Sequence, residues 1–214
     1  MAVYERVSIG SLAQGAVPPG YTFTRSTTAL YVDSDGLLKS AAINTPRRQW
    51  DATNRRWGYV GEGSRTNLFT YSEQFDNAAW TKSGTTTVAS NASVAPDGAT
   101  TADRVVVGVG TATYRVQQSY SFVSGTTYSH TCFVKRSSLQ YAFCYGGGVA
   151  IPADVSIVDL DSGTLTLNTN SRARVDAIGN GWYRVSYTAA ATSSAADAIR
   201  IGFTSSPRVP DASG

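Results

Sequence analysis

Short runs of alternating apolar and polar residues cover most of the chain from residue 85 onward and predict β-strands. Gly, Asp, Asn and Pro residues that favour turns separate these runs. Ten short strands at this spacing are typical of a two-sheet sandwich or jelly roll. The predicted strands are 85–89, 102–109, 114–122, 127–135, 140–145, 156–159, 165–168, 174–178, 182–188 and 198–203. We therefore expect an all-β fold, an antiparallel two-sheet jelly-roll sandwich.

The first third of the chain has a different pattern. Residues 1–20 end in Pro18-Pro19-Gly20, which favours neither a helix nor a central strand and indicates an arm. Extended pieces at 21–25 and 29–32 precede the turn sequence Asp33-Ser-Asp35-Gly36, which predicts a hairpin. The sequence thus predicts an N-terminal extended and hairpin docking segment over residues 1–66 and a β-sandwich over residues 67–214.

Alternation assigns the two faces of the predicted strand 127–135. Its even positions, Tyr128, His130, Cys132 and Val134, are more apolar than its odd positions, which end in Lys135. Since side chains two residues apart share a face, the even positions are predicted to point into the core. His130 is then a core residue rather than a catalyst.

The predicted strand 140–145 alternates aromatic and small residues, and its pattern has two interpretations. If Ala142 and Cys144 face the core, the aromatic row of Tyr141, Phe143 and Tyr145 lies on the opposite face, where sugars stack. Alternatively, the aromatic residues form the core face themselves. The alternation alone leaves both arrangements open.

The composition argues against common enzyme classes. Ser, Thr and Gly contribute 70 of the 214 residues, and 15% of residues are charged, against about 25% in ordinary globular proteins. One His and two Cys are too few for a structural zinc site, a disulfide scaffold or a His-based triad with spare groups. No segment resembles a signal peptide or a membrane helix. We expect a noncatalytic protein that does not enter the membrane.

The positive charge is concentrated in the N-terminal part. Residues 1–65 hold eight basic and five acidic groups, so the whole formal net charge of +3 belongs to them. Arg and Trp are enriched as anchors at protein interfaces. Because no further basic patch extends a groove, docking on a partner or within the chain is favoured over nucleic-acid binding. The candidate docking residues are Arg47, Arg48, Trp50, Arg55, Arg56 and Trp57.

Paired carboxylates occur in two predicted turns, at Asp33/Asp35 and at Asp159/Asp161. Asp in such turns normally caps the backbone, so capping is favoured over the acid/base pair of a glycosidase. Carboxylates and loop carbonyls also suit calcium, the one cofactor that the sequence suggests. The weak calcium candidates are Asp97, Asp103, Asp159 and Asp161.

A set of motifs in a fixed order runs over about residues 21–204. It comprises 23–36 (Phe-Thr-Arg to Asp-Ser-Asp-Gly), 61–68 (Gly-Glu-Gly-Ser-Arg-Thr-Asn-Leu), 71–76 with Trp80, 95–103 (Ala-Pro-Asp-Gly to Ala-Asp), 133–135 (Phe-Val-Lys), 158–163 and 180–186 (Asn-Gly-Trp-Tyr-Arg-Val-Ser). This combination resembles the carbohydrate-binding-module-like jelly-roll modules of tailed-bacteriophage virion proteins, namely tail fibres, tailspikes and minor structural proteins.

The resemblance implies a noncatalytic role in host attachment or particle architecture. It implies structural roles for Trp182 and Tyr183, and Arg65 and Asn67 are expected to lock the N-terminal segment onto the sandwich. Similar modules continue past the strand matching 198–203, so the sandwich is expected to be truncated or completed by a partner. The protein would assemble in the host bacterial cytoplasm, join other virion proteins as a homo-oligomer, with a trimer favoured, and reside in the virion.

Sugar binding needs aromatic rings together with planar polar groups for the hydroxyls. The sequence offers Tyr141, Phe143, Tyr145, Tyr114, Gln117 and Arg200 for this purpose. A host-surface glycan is therefore the expected ligand. A purely architectural virion protein and the binding module of a longer depolymerase are the alternatives.

Overall fold

The structure is a computed structural model that describes residues 16–17, 20–51, 54–60, 66–108 and 114–207. Within these ranges the chain forms fifteen strands, one 3-10 turn at Thr169–Ser171 and no α-helix. All the strand pairs are antiparallel. The all-β prediction is confirmed. None of the described segments is a helix long and apolar enough to cross a membrane.

The chain divides into two compact units between residues 65 and 66. The first unit contains two hairpins, whose strands are β1 (Ala29–Val32), β2 (Leu38–Ala41), β3 (Arg48–Asp51) and β4 (Arg56–Tyr59). The predicted turn joins β1 to β2, and Asp35 accepts a hydrogen bond of 2.9 Å from the Leu37 N–H. Lys39 contacts the carboxylates of both Asp33 and Asp35. These aspartates therefore stabilise the turn, as their context predicts.

The second unit is a sandwich built from three sheets. Its strands are β5 (Thr81–Lys82), β6 (Thr87–Ser93), β7 (Ala102–Val106), β8 (Arg115–Ser121), β9 (Thr127–Lys135), β10 (Tyr141–Gly146), β11 (Ser156–Asp159), β12 (Thr164–Asn168), β13 (Ala173–Gly179), β14 (Trp182–Ala190) and β15 (Ala196–Thr204). The largest sheet has the order β12-β11-β10-β15-β8-β5. A second has the order β13-β14-β9, and β6 pairs with β7.

One apolar core joins the six-stranded sheet to the three-stranded sheet. Val116, Cys144 and Ile201 contribute from the larger sheet, and Val134 and Val185 contribute from the smaller one. Burial of apolar surface between two such faces is the main favourable term in folding a sandwich. We call the surface of the six-stranded sheet that faces this core its inner face and the opposite surface its outer face.

The predicted alternation of strand β9 is confirmed. His130, Cys132 and Val134 are buried, whereas Ser129 and Thr131 are exposed. In strand β14, Trp182 is buried and donates its indole N–H to the Val94 carbonyl over 3.2 Å, while Tyr183 packs half-buried against the core.

Candidate functional site

Strand β10 presents its small residues to the core and its aromatic residues to the outer face. Ala142 and Cys144 belong to the main core, and Phe143 and Tyr145 form a separate cluster with Ile157 of β11. Because successive side chains of a strand point to opposite faces, one assignment fixes the other. Of the two arrangements that the sequence left open, the structure has the one with the aromatic row outside.

Phe143 and Tyr145 are nevertheless covered on that outer face, at 1% and 2% exposure. Their ring centroids lie 5.7 Å apart. Gly202 lies opposite Phe143 on strand β15, and a Cβ there would overlap the Phe143 ring. Because Gly202 has no side chain, the Phe143 ring can occupy this space. In this structure the two rings form a buried floor, and Tyr141, which packs against them, is half-buried.

Arg200 lies above this floor. It pairs with Tyr145 across the β10–β15 ladder, and its Cζ lies 5.3 Å from the centroid of the Tyr145 ring, within the range of a cation–π interaction. Its Nη1 donates to the Gly147 carbonyl over 3.4 Å. Its Nε is buried and has no hydrogen-bond partner among the described residues. The guanidinium is thus positioned mainly by the aromatic ring.

Strand β8 adds Arg115 and Gln117 to the same face. In the β8–β15 register Gln117 lies opposite Arg200, and Arg115 lies opposite Gly202. Arg115 donates through Nε to Gln117 Oε1 over 2.9 Å and through Nη1 to the Tyr145 hydroxyl over 3.4 Å. Sequence reasoning missed Arg115. The period of two would have found it, since it lies two residues before Gln117 on one strand.

Tyr114 immediately precedes β8 and is half-buried. Its carbonyl oxygen lies so close to Gly202 that a Cβ there would overlap it. The fold therefore places the segment holding Tyr114 beside the other glycan-binding candidates. Strands β8, β10 and β15 together bring Gln117, Tyr145 and Arg200 to one region of the outer face.

A buried carboxylate shapes the loop beside this region. Asp197 Oδ2 accepts hydrogen bonds from the N–H groups of Val149, Ala150 and Ile151 over 2.9, 2.8 and 2.9 Å. Backbone donors satisfied in this way leave a loop with one preferred conformation. The same loop contains Gly147, whose carbonyl accepts from Arg200. Asp197 therefore supports the site indirectly.

The core beneath contains His130 and Cys144, whose environment favours the uncharged form of each side chain. His130 Nδ1 lies 3.1 Å from Cys144 Sγ, and burial lowers the pKa of His130 to about 4. A hydrogen bond with Cys132, together with burial, raises the pKa of Cys144. At neutral pH the imidazole is uncharged and the Cys144 thiol protonated, which suits a structural role.

The aspartates predicted as calcium candidates act on the backbone and on an arginine. Asp97 accepts from the Ala99 N–H over 3.0 Å, and Asp103 accepts from the Phe75 N–H over 2.7 Å. The Asp161 N–H donates to Asp159 over 2.8 Å, and this bond lowers the pKa of Asp159.

Asp161 also forms an ion pair with Arg136. Where the chain is described, no three His, Cys, Asp or Glu residues are grouped so as to hold a metal ion. Calcium binding stays a prediction.

The Arg/Trp-rich docking segment forms the second hairpin of the N-terminal unit. Trp50 lies opposite Trp57, with ring centroids 5.4 Å apart. Arg47 donates to the Leu30 carbonyl over 2.9 Å, and Arg48 is 2% exposed and donates to the Trp57 carbonyl over 3.4 Å. These two arginines hold the unit together.

Arg55 and Arg56 are exposed at the tip of this hairpin. They are the most exposed of the four arginines in the segment. Asn67 accepts from the Phe69 N–H over 3.2 Å and bonds Ser72 over 3.1 Å, which orders the start of the second unit. Arg65 lies outside the described residues, so its predicted locking role stays a prediction.

The outer-face region offers guanidinium, amide and hydroxyl groups beside an aromatic ring, with no nucleophile and base within hydrogen-bond reach among its described residues. Guanidinium, amide and hydroxyl groups beside an aromatic ring are groups that suit the binding of a polar ligand. Comparison of the chain with protein-family models and with curated proteins finds no match.

Proposed function

We propose that this protein is a noncatalytic virion protein of a tailed bacteriophage whose sandwich attaches to a host-surface glycan. The ordered motifs over residues 21–204 support the virion part of the proposal, and the all-β sandwich agrees with it. The observation that carries the adhesive role is the convergence of Gln117, Tyr145 and Arg200 on one outer face, beside the half-buried Tyr141.

Binding by such a face is noncovalent and weak at each site. Sugar rings stack on aromatic faces, while planar amide and guanidinium groups select hydroxyl positions. Several copies on one particle convert weak sites into avidity. A homo-oligomer, with a trimer as the simplest fibre-like arrangement, fits this role in the virion.

The adhesive role is tested by measuring how the full chain binds to an array of bacterial surface polysaccharides and to whole host cells. We expect binding that falls about tenfold in Tyr141→Ala and in Gln117→Ala, because each removes a stacking surface or a hydrogen bond. Thr131→Ala, at an exposed position of strand β9, is the matched control and should bind as the parent does. Absence of binding to every polysaccharide and cell would refute the adhesive role.

The exposed pair Arg55 and Arg56 supports a second, architectural function. In that case the N-terminal unit anchors the protein to another virion protein, and the sandwich decorates the particle. The double variant Arg55→Ala, Arg56→Ala should reduce incorporation into phage particles without unfolding the protein. Unchanged incorporation, measured by immunoblot of purified particles against Arg104→Ala as control, would contradict it.

A further inference from the structure

Two arginines of the outer face have no carboxylate partner among the residues that the structure describes, whereas comparable arginines do. Arg172 and Arg184, which are half-buried elsewhere in the second unit, form ion pairs with Asp154 and Asp176. Arg115 and Arg200 are half-buried as well, yet no described carboxylate lies within 4.0 Å of either. Partly buried cations are normally paired because removing them from water is unfavourable.

The two guanidinium groups also lie close together. Both contact Tyr145, Arg115 through the hydroxyl and Arg200 over the ring. They occupy diagonal positions of the antiparallel β8–β15 pair, whose side chains lie about 7–8 Å apart in an ordinary sheet. Gly202 lies opposite Arg115, and the Phe143 ring and the Tyr114 carbonyl occupy the space that a side chain there would fill. Two like charges at this separation favour an anion between them.

The hydrogen-bonding groups of the region favour an acceptor ligand. Gln117 Oε1 already accepts from Arg115, so its free amide hydrogens are donors. Arginine offers five donors and no acceptor, and among the described residues the Arg200 guanidinium donates one hydrogen bond, of 3.4 Å, to the Gly147 carbonyl. A carboxylate accepts several such bonds at once, and its pairing with arginine is frequently bidentate. A neutral sugar hydroxyl matches this donor-rich surface less well.

We infer that the ligand of this face is an acidic saccharide whose carboxylate is bound by Arg115 and Arg200. The inference rests on the proposed glycan-binding function and names the substrate class of the same site. Tyr141 would then stack on a neighbouring sugar ring, while the Tyr145 ring holds the Arg200 guanidinium in place.

The test uses full-length protein on an array that carries each bacterial polysaccharide in two forms, intact and after chemical reduction of its uronic-acid carboxyl groups to alcohols. We expect binding to intact acidic polysaccharides to fall at least tenfold after carboxyl reduction. Arg115→Gln and Arg200→Gln should each weaken binding to the intact form about tenfold or more and change binding to the reduced form little. Binding should also weaken as salt is raised.

Two control variants show whether a loss of binding depends on the position of the arginine and on its planar guanidinium group, rather than on positive charge alone. Arg174→Gln removes one exposed arginine on strand β13 and should leave binding unchanged. Arg200→Lys keeps the charge but not the planar fork, so binding should recover only in part. Thermal melting of each variant shows that it is folded.

The outcomes distinguish the inference from the function on which it rests. Binding that is confined to neutral polysaccharides, or that survives carboxyl reduction, overturns the acidic ligand and leaves glycan adhesion standing. Binding confined to sulfated or phosphorylated polysaccharides also contradicts the inference that the bound group is a carboxylate. Absence of all glycan binding overturns the adhesive function and the inference with it.

Discussion

The two faces of the six-stranded sheet differ in chemistry, although neighbouring residues of the same strands form both. On the inner face, Cys144 of β10 and Ile201 of β15 pack in a continuous apolar core. On the outer face, Tyr145 and Arg200 of the same two strands form an aromatic floor with a cation above it. Both faces bury their rings and apolar groups, but the outer one keeps polar donors at its surface.

This difference shows that burial alone does not identify the core of a sandwich. Phe143 is 1% exposed and Ala142 is 3% exposed, although they lie on opposite faces. The distinguishing feature is what surrounds them. Ala142 contacts a core drawn from two sheets, whereas Phe143 belongs to a small cluster beside arginines and an amide.

The largest effect is expected from a truncation on the inner face. Ile201→Ala should lower the free energy of unfolding by about 2–5 kcal/mol, because it removes buried methyl groups and leaves a cavity. Arg200→Ala, one residue earlier and on the outer face, should cost about 1 kcal/mol through its lost contact with Tyr145. Urea denaturation of both variants measures the contrast, and equal losses would contradict the assignment of the faces.

The second largest effect is a pH dependence of stability that originates in the core. His130 has a pKa of about 4 in the folded state because of burial, against about 6.5 when unfolded. As the pH falls from 6.5 to 4, His130 becomes protonated in the unfolded state but stays neutral in the folded state. Stability should therefore fall by about 3 kcal/mol across this window and be fully present above it. Urea midpoints at several pH values measure it.

The control for this pH dependence is His130→Gln, which carries no titrating group there. His130 is the single histidine of the chain, and the lowered folded-state pKa values of Asp33, Asp35 and Asp159 change the stability only below about pH 5. The slope between pH 6.5 and about 5 should be lost in the variant, whatever its absolute stability. An unchanged slope would mean that the histidine is not the cause.

A smaller effect is expected from adding one carbon on the outer face. Gly202→Ala should destabilise the protein by about 1–3 kcal/mol, because the new methyl group overlaps the Phe143 ring and the Tyr114 carbonyl. Gly58→Ala on strand β4 is the matched control, since its Cβ would meet its nearest atom at 3.9 Å. Thermal melting compares the two, and similar values would show that the ring does not lie on Gly202.

Much of the fold was predictable because the sandwich strands have regular alternation and clear turn sequences. All ten predicted strands occur, with shifted ends such as Thr87–Ser93 in place of 85–89. The sequence does not predict the hairpin β3–β4, because its arginines and tryptophans indicate docking residues and show no regular alternation. Its strands form because Trp50 and Trp57 pair across the ladder, a contact that a local pattern does not reveal.

The sequence predicts most residues of the candidate site, Arg115 excepted, but it does not predict how exposed they are. Tyr141, Gln117 and Arg200 were identified from residue type, and the structure brings their strands together. The covering of Phe143 depends on Gly202, which is 59 positions further along the chain and adjacent only through the β10–β15 ladder. No local pattern contains that contact.

The sequence by itself determined the all-β class, because alternation with period two and closely spaced turns leave little room for another fold. It also determined the inward face of β9, where apolar and polar positions separate cleanly. Tertiary structure alone decided which face of β10 joins the core, since both of its faces carry apolar residues. It also decided which arginines find carboxylates, because ion pairing depends on strand order and register. Arg184 forms an ion pair with Asp176 on the neighbouring strand, whereas Arg115 and Arg200 both contact Tyr145.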